Sequence, residues 1–407
     1  MGRFSHFTKG NLSKLLSLPR YAAGAVRSLW TRRDPKLWVI GSGFGVSDGA
    51  LAFARAAQAL DPGIRFVWLT GSDTEAAAAT KAGFEHVARD SADGLQTTLR
   101  AGAVIVTHGF GDANRYGQRG AVIVQLWHGP PIKKIRADSP AVTATGIPGM
   151  GAVMRFLYRA GSSQISLLPA IGRAVVPHFQ SAFNLRQQVR VLGEPREDVL
   201  FRGAERDRIA ASRALWDDLL GLKGKVVLYA PTWRNGDVDE GIPTADEWRL
   251  IDETCERLDA YLVIRPHQLG VGEYSGFGAR VRLLPPGAQP DVMPLLWGVD
   301  ALISDYSSLL VYYSVTAQPM VFFAPDLEDY AATRGLYYDY DELSAGHTCR
   351  TWAQALARLE EVLTDPAPAR KLTRVFRDHF HAYADDQSAR RVAEATAELV
   401  AKRFPGA

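Results

Sequence analysis

The chain has 407 residues, of which 47% are hydrophobic and 22% charged, with a formal net charge of +3. This is the composition of an ordinary globular protein, and its length suits two domains of roughly 150–200 residues each. The only cysteines, Cys255 and Cys349, exclude a disulfide framework and a thiolate metal cluster, and they fit a reducing cytoplasmic setting. No stretch reaches the ~18 apolar residues of a membrane span, and we expect no secretory signal peptide.

The charge is concentrated in the first 36 residues, which hold eight Lys/Arg and one acid, Asp34, so that the rest of the chain is net acidic. The same segment carries leucines, Val26 and Trp30 at roughly helical spacing. A basic amphipathic segment with a tryptophan favours binding to an anionic membrane surface. The alternative is a basic helix packed on its own domain and broken at Pro19. Nucleic-acid binding is disfavoured, because the acidic body lacks interleaved basic and aromatic residues.

After Pro35 the pattern alternates between strands and helices. In the first half we predict helices at 48–60 and 74–82 and strands at 37–40, 65–69, 103–107, 121–126 and 189–192. Residues 41–45 read Gly-Ser-Gly-Phe-Gly, but Val46 breaks the dinucleotide-binding fingerprint, so the glycines indicate a tight strand-to-helix turn that lines the cleft. We interpret residues 141–178 as a loop followed by a helix near the acceptor.

The second half repeats the pattern after a charged bridging helix at 202–220, for which Gly221 is the stop signal. We predict closing helices at 351–363 and 367–402, and strands at 225–229, 260–264, 281–284, 301–303 and 319–323. Repeated strand–helix units indicate parallel sheets. The predicted fold class is α/β, with two doubly wound Rossmann-type domains that face a cleft in a GT-B-like arrangement. We expect a leader at 1–36, a first domain at 37–205 and a second at 206–407, with the last helix crossing back.

The most informative segment follows the predicted strand at 301–303. It reads Ser304-Asp305-Tyr306-Ser307-Ser308 and continues as an apolar helix. A helix start offers free backbone N–H groups and a positive dipole end to an anion, and the serines add hydroxyl donors. The segment therefore suits a diphosphate, although ordinary N-capping is the alternative.

Four further polar motifs follow predicted strands: QLWHGPPIKKI at 125–135, GEPREDVLF at 193–201, VLYAPTWR at 227–234 and VIRPHQ at 263–268. Together with DYSS and the Arg334-Gly335 pair, this set closely resembles the CDP-glycerol glycerophosphotransferase family, the wall teichoic acid primases and polymerases. The resemblance runs in order from about Trp38 to about Leu343. Glu194 and Gln268 depart from the usual family pattern.

The resemblance implies roles for two histidines. His128 is expected to be the general base, since a neutral imidazole can accept a proton from an attacking hydroxyl. His267 is expected to contact the donor diphosphate and to protonate the leaving phosphate. A structural histidine and a turn held by local hydrogen bonds are the respective alternatives.

The other candidate residues divide between donor and acceptor. Asp305 is expected to orient its loop or a ribose hydroxyl, because a carboxylate facing phosphate would repel it, and Arg334 is a candidate clamp on developing charge. Donor and phosphate binding is assigned to Arg234, Arg265, Asp305, Ser307, Ser308 and Arg334. The acceptor side is assigned to Trp127, Gly129, Lys133, Lys134 and Arg196. Arg196 and Asp198 are placed at the interdomain hinge or cleft wall, with a structural ion pair as the alternative.

The resemblance implies a CDP-alditol-dependent polyol-phosphate transferase, with CDP-glycerol or CDP-ribitol as donor and release of CMP. The expected partners are a lipid-linked saccharide acceptor and the cytoplasmic face of the membrane, where the protein would be peripheral. No tightly bound cofactor or metal is expected, since the pairs Asp237/Asp239 and Asp339/Asp341 do not follow strands. A nucleotide-sugar glycosyltransferase and a catalytically silent membrane scaffold are the rival interpretations.

Overall fold

Each half of the chain forms one parallel sheet. The computed structural model describes residues 18–140, 150–234, 238–267, 270–285 and 287–406. The first half contains helices α1 Leu18–Trp30, α2 Asp48–Leu60, α3 Asp73–Lys81, α4 Ala92–Arg100, α5 Met150–Ser162 and α6 Val176–Phe183. Its strands are β1 Asp34–Gly41, β2 Arg65–Thr70, β3 Glu85–Ala88, β4 Ala101–Val106, β5 Val122–Gln125, β6 Ile165–Ala170 and β7 Val189–Val191.

The second half contains the strands β8 Lys225–Ala230, β9 Ala260–Ile264, β10 Val281–Leu283, β11 Ala301–Ser304, β12 Met320–Phe323 and β13 Thr348–Cys349. Its helices are α7 Glu205–Leu220, α8 Ala245–Arg257, α9 Leu309–Tyr313, α10 Leu327–Thr333, α11 Tyr340–Leu343, α12 Trp352–Thr364, α13 Pro366–Phe380 and α14 Ser388–Arg403.

Both sheets have the doubly wound strand order. The first runs β3-β2-β1-β4-β5-β6-β7 and the second β10-β9-β8-β11-β12-β13, with parallel pairing throughout. Central strands such as β4 are buried along their whole length, which explains their continuous apolar sequence. The strand order reverses between β1 and β4 and again between β8 and β11, and ligands of open α/β sheets bind beyond the carboxyl ends of such strands. The predicted fold class is confirmed.

The closing helix belongs physically to the first half. Val392, Ala393 and Val400 of α14 pack in one apolar cluster with Trp38 of β1 and Phe53 of α2. The chain therefore crosses back, as expected, and ties the two halves together at a second place besides the connection that follows β7.

Three details of the predicted elements were wrong. The segment 141–178, predicted as a loop followed by a helix, also contains the buried strand β6, whose sequence ISLLPA includes a serine and a proline. The single helix predicted at 367–402 is two helices, because the polar stretch between Phe380 and Ser388 interrupts it. The edge strands β3 and β13 were missed, since β3 is largely exposed and β13 has only two residues. Residues 1–17 of the leader, Asp237 and Gln268 lie outside the described residues.

Candidate active site

The loop after β5 brings the two halves of the molecule into contact. Trp127 and Gly129 both have positive φ angles, 62° and 143°. For a tryptophan this conformation is strained, and such strain is typical of functional loops. A Cβ atom at Gly129 would lie 2.5 Å from Oγ of Ser308 in the second half. Only glycine therefore allows the loop that carries His128 to lie against the loop that carries Ser307 and Ser308.

His128 is held as a neutral imidazole with one defined basic nitrogen. Its Nδ1 lies 3.4 Å from the carbonyl oxygen of Thr107. A carbonyl only accepts, so Nδ1 carries the proton and Nε2 keeps its lone pair. Burial lowers the pKa of His128 well below its usual value, and nearby positive charges act in the same direction. These charges belong to His108, Arg196 and Lys133.

Arg196 supports the His128 loop from behind. Its Nη1 donates to the carbonyl oxygen of His128 at 2.7 Å, and its Nη2 lies 3.1 Å from the carboxylate of Asp48. The guanidinium also lies 4.9 Å from the ring centre of Tyr312 in the second half. These contacts are compatible both with the predicted cleft wall and with the alternative of a structural ion pair, here with Asp48, and a direct contact of Arg196 with the acceptor stays a prediction. Asp198 accepts hydrogen bonds from the first backbone N–H groups of α14.

A short antiparallel contact joins Lys133 and Lys134 to the segment after α10. The backbone N–H of Lys134 donates to the carbonyl oxygen of Gly335 at 2.8 Å, and Lys133 forms a bridge with Leu336. Burial lowers the pKa of Lys133 to about 8, and the charge of Arg334 adds to this effect. Lys133, expected on the acceptor side, thus lies among the donor-side residues, next to Arg334.

Arg234 and Asp305 form a buried ionic centre at the switch point between β8 and β11. Arg234 is only 8% exposed, and its Nη1 lies 2.7 Å from Asp305. Its Nε and Nη2 donate to the carboxylate of Asp326 at 2.7 and 3.0 Å. Asp305 also accepts the backbone N–H of Thr232 at 3.0 Å. The geometry agrees with Asp305 as the residue that orients its loop. It favours a positioning role for Arg234, whose predicted direct contact with phosphate stays a prediction.

Ser307 and Ser308 lie half-buried at the start of α9, and Ser308 lies close to Gly129. Ser307 Oγ accepts the backbone N–H of Leu309 at 3.2 Å. The helix has only five residues and continues as a short 3-10 turn at Ser314–Thr316. Because the dipole of so short a helix is small, the hydroxyl groups are the stronger anion-binding feature here.

The Arg265–His267 turn faces the same region from β9. The ring of His267 stacks on Trp233 with centroids 6.3 Å apart. Burial and the charge of Lys133 lower the pKa of His267 to about 4. Arg265 donates from Nη2 to the carbonyl oxygen of Pro290 at 3.1 Å. The charge of Lys133 acts on both His128 and His267.

The sequence interpretation missed His108, whose ring stacks on that of His128. A signal was present. Thr107-His108-Gly109 follows β4 as Trp127-His128-Gly129 follows the adjacent β5, so two His-Gly pairs lie at neighbouring carboxyl ends of one parallel sheet. Reading the two strand ends together would have placed both imidazoles at the cleft.

A cavity of about 770 Å³ lies beside Arg196, which supports the His128 loop, and not between His128 and His267. It is lined by α2, by the residues around Arg196 and by Asp291 of the second half, and it shares Asp48 with the Arg196 ion pair. Among the described residues, no group of three or more His, Cys, Asp or Glu side chains could hold a metal ion. The expectation of a metal-independent site stays a prediction.

Comparison with known proteins shows which family and which relatives this chain resembles. A family model described as CDP-Glycerol:Poly(glycerophosphate) glycerophosphotransferase matches residues 24–398. The teichoic acid ribitol-phosphate polymerase TarK of Staphylococcus aureus is 30% identical over 53% of this chain and 42% of its own length. The teichoic acid glycerol-phosphate transferase of the same organism is 28% identical over 67% of this chain and 70% of its own length.

The poly(glycerol phosphate) polymerase of Bacillus subtilis is 26% identical over 59% of this chain and 32% of its own length. The chain thus spans less than half of the length of two of these three relatives. Among solved structures, the wall teichoic acid polymerase TagF superposes with a TM-score of 0.74 at 22% identity, over 98% of each chain. Anabaena Alr3699/HepE in complex with UDP and glucose reaches 0.52 at 11% identity, over 89% of this chain and 99% of its own. At these identities the structures show the shared fold.

Proposed function

This chain belongs to the CDP-glycerol:poly(glycerophosphate) glycerophosphotransferase family, and from that membership we propose that it transfers a polyol phosphate from a CDP-alditol to a hydroxyl group of a lipid-linked cell-envelope glycan. CMP is released and a phosphodiester forms. The observation that supports this most directly is the position of His128, a neutral imidazole on a strained loop that touches the Ser307–Ser308 loop of the other half.

In the proposed reaction Nε2 of His128 takes the proton from the acceptor hydroxyl. The resulting oxygen nucleophile attacks the β-phosphorus of the donor, and the bond from that phosphorus to the bridging oxygen breaks. The electron pair leaves with CMP, and His128 later returns its proton to solvent. Both halves supply groups to one cleft. In phosphoryl transfer, most of the rate enhancement comes from positioning the reactants and neutralising the charge of the phosphoryl oxygens.

The donor diphosphate would lie among Lys133, Arg334, His267 and the hydroxyls of Ser307 and Ser308. Burial and the charge of Lys133 lower the pKa of His267 to about 4, so it is neutral at neutral pH. A bound diphosphate would raise the pKa of His267, because opposite charge favours the protonated form. His267 could then protonate the leaving phosphate. Arg265 adds a second cation beside His267, and the side-chain stem of Lys134 lies against Gly335.

The buried Arg234–Asp305–Asp326 centre holds these loops in place. Arg234 joins the end of β8 to the end of β11 and to Asp326, which follows β12. A satisfied buried ion pair fixes geometry, and removal of one partner leaves an uncompensated charge. We therefore propose that Arg234 and Asp305 position the donor loop rather than carry the phosphate.

The names of the relatives support the choice of donor and acceptor. They include glycerol-phosphate and ribitol-phosphate enzymes of teichoic acid synthesis, and one TagF structure was obtained after a soak with CDPG. We propose CDP-glycerol or CDP-ribitol as donor and a lipid-linked saccharide as acceptor, with no nucleic-acid partner. None of the helices in the described ranges is long and apolar enough to cross a bilayer.

We further propose that the protein binds peripherally to the cytoplasmic face of the membrane through α1. Leu29 and Trp30 are 81% and 87% exposed on this helix, which has no acidic residue. The other side of α1 packs through Gly24 against the backbone of Tyr116. Exposed apolar side chains among arginines fit an anionic bilayer. Helix α5 adds Phe156, 68% exposed, on a second helix without acids.

Flotation with anionic vesicles tests this part. The L29E/W30E double variant should lose binding, while the control Leu60→Glu, which changes an exposed leucine of α2, should not. Equal flotation of the double variant and the wild type would refute membrane binding through α1.

The catalytic proposal is tested with His128→Ala. Turnover of CDP-glycerol in the presence of a lipid-linked disaccharide analogue should fall below detection, while calorimetry should show nearly unchanged donor binding. Unchanged turnover would remove His128 as the base. Lost donor binding would instead give His128 a role in holding the donor.

A further inference from the structure

We propose that His108 is a positioning residue for the catalytic base: its imidazole stacks on His128, fixes the orientation of that ring and opposes its protonation. This inference rests on the proposed function of His128. It concerns a residue outside the motifs that carry the family resemblance.

The two rings form a close parallel pair. Their centroids lie 4.3 Å apart and their planes differ by only 8°. Phe44 contacts the His108 ring edge-on, with ring centroids 4.6 Å apart. Because His128 contacts both the His108 ring and the Trp127 ring, the latter with centroids 4.0 Å apart, it has little freedom to rotate about χ2 away from the Thr107 carbonyl.

The glycine-rich loop after β1 makes room for His108. A Cβ atom at Gly43 would lie 2.4 Å from Nδ1 of His108 and 2.8 Å from its Cε1. Any larger residue at this position would displace the ring of His108. The glycine at position 43 therefore leaves the space that this ring occupies.

Asp112 fixes the backbone beneath both rings. One carboxylate oxygen accepts the backbone N–H groups of Thr107 at 3.0 Å and His108 at 2.6 Å. The same oxygen lies 3.2 Å from the hydroxyl of Thr107, which in turn lies 3.0 Å from Nδ1 of His108. Because Thr107 also supplies the carbonyl that orients Nδ1 of His128, this single clamp sets the position of both imidazoles.

The pair also has an electrostatic consequence. Two imidazoles in contact resist carrying a positive charge together, and burial lowers the pKa of each. The charged groups that face His108 are Asp112, Arg196 and Asp48, and those that face His128 are Arg196, Lys133 and His108 itself. His108 therefore helps to keep Nε2 of His128 free to accept a proton as the pH falls.

The kinetic test compares His108→Phe, which keeps an aromatic stack, with His108→Ala, which removes it. The exposed His86 provides the control His86→Ala. We expect kcat to fall about 10- to 100-fold in His108→Ala with little change in KM for the donor, since a misplaced reacting group costs up to about this factor. In His108→Phe we expect kcat within about threefold of wild type and the acid limb of kcat/KM at higher pH, because no second cation opposes protonation of His128.

A readout without substrate separates this inference from the proposed function. In histidine-labelled full-length protein, the ring proton signals of His128 should lose their stacking shift in His108→Ala. Their titration midpoint should rise in His108→Phe, and neither should change in His86→Ala. An inactive wild type would refute the proposed function and leave the NMR test intact. Unchanged His128 signals in both His108 variants, or equal losses of kcat in His108→Phe and His108→Ala, would overturn the positioning role.

Discussion

Glu194 provides a stability prediction that follows directly from its burial. It comes after β7, is 1% exposed, and accepts a hydrogen bond from the hydroxyl of Tyr312 in the second half of the chain. Its second carboxylate oxygen has no hydrogen-bond partner in the described part of the chain. Burial raises the pKa of Glu194 to about 8, and the neighbouring Glu197 acts in the same direction. The residue is also one of the two departures from the family pattern.

The direction in which the free energy of unfolding changes with pH follows from the number of protons that the folded and unfolded states bind. The ordinary pKa of glutamate is 4.5, so between this pH and about 8 the folded state holds a proton that the unfolded state has lost. Stability should therefore fall as the pH rises through this window. Integrated from pH 5 to pH 8, the loss that this one group causes is about 3 kcal/mol.

The perturbation is Glu194→Gln, which keeps the shape and the acceptor for Tyr312 but cannot ionise. Urea unfolding followed by tryptophan fluorescence should show little difference between the variant and the wild type at pH 5. At pH 8 the variant should be more stable by an amount that approaches the full figure. Glu256→Gln, at an exposed position of α8, is the control. A difference between variant and wild type that stays constant from pH 5 to pH 8 would refute the reasoning.

Three further predictions concern the cleft. Arg234→Met should destabilise the protein by about 3–5 kcal/mol, since it leaves Asp305 and Asp326 buried without their cation. The control Arg249→Met, which removes an exposed ion pair with Asp246, should change the unfolding midpoint little. Equal effects of the two substitutions would contradict the buried ionic centre. Gly129→Ala should lower kcat about 100-fold, because a Cβ atom there would lie 2.5 Å from Oγ of Ser308 and the φ angle of 143° disfavours a side chain; an unchanged kcat would show that the contact between the two loops does not depend on this glycine. Binding of CDP-glycerol at pH 6 should be accompanied by proton uptake, because the diphosphate raises the pKa of His267 from about 4. Calorimetry in buffers of different ionisation enthalpy measures this uptake, and His267→Gln should abolish it. Proton uptake that persists in this variant would show that another group binds the proton.

Much of the fold was readable from the sequence because the central strands are buried on both faces. Continuous apolar runs such as β4 and β9 predict strands without information about the adjacent strands. Helix α2 begins and ends at its predicted residues. The elements that were missed lack this signal. β3 is an exposed edge strand, and β6 contains Pro169, whose missing N–H makes a strand assignment unattractive.

The candidate site was predictable in its parts but not in its assembly. His128, His267 and Asp305 follow strands, so their place at the cleft could be inferred from the topology. The contact of Lys133 with the Arg334 segment could not, because it joins residues about 200 positions apart through backbone hydrogen bonds that no side-chain pattern reveals. The same holds for Arg234, whose two carboxylate partners are specified only once β8, β11 and β12 lie side by side.

The most direct test of the account is the identity of the nucleotide that the purified protein releases. It would be incubated with a lipid-linked disaccharide analogue and, in separate reactions, CDP-glycerol, CDP-ribitol and UDP-sugars. The account predicts CMP from a CDP-alditol, released only when the acceptor is present, together with a phosphodiester-linked product. Release of UDP from a sugar donor, with no CMP from either CDP-alditol, would contradict it and would assign the cleft to glycosyl transfer.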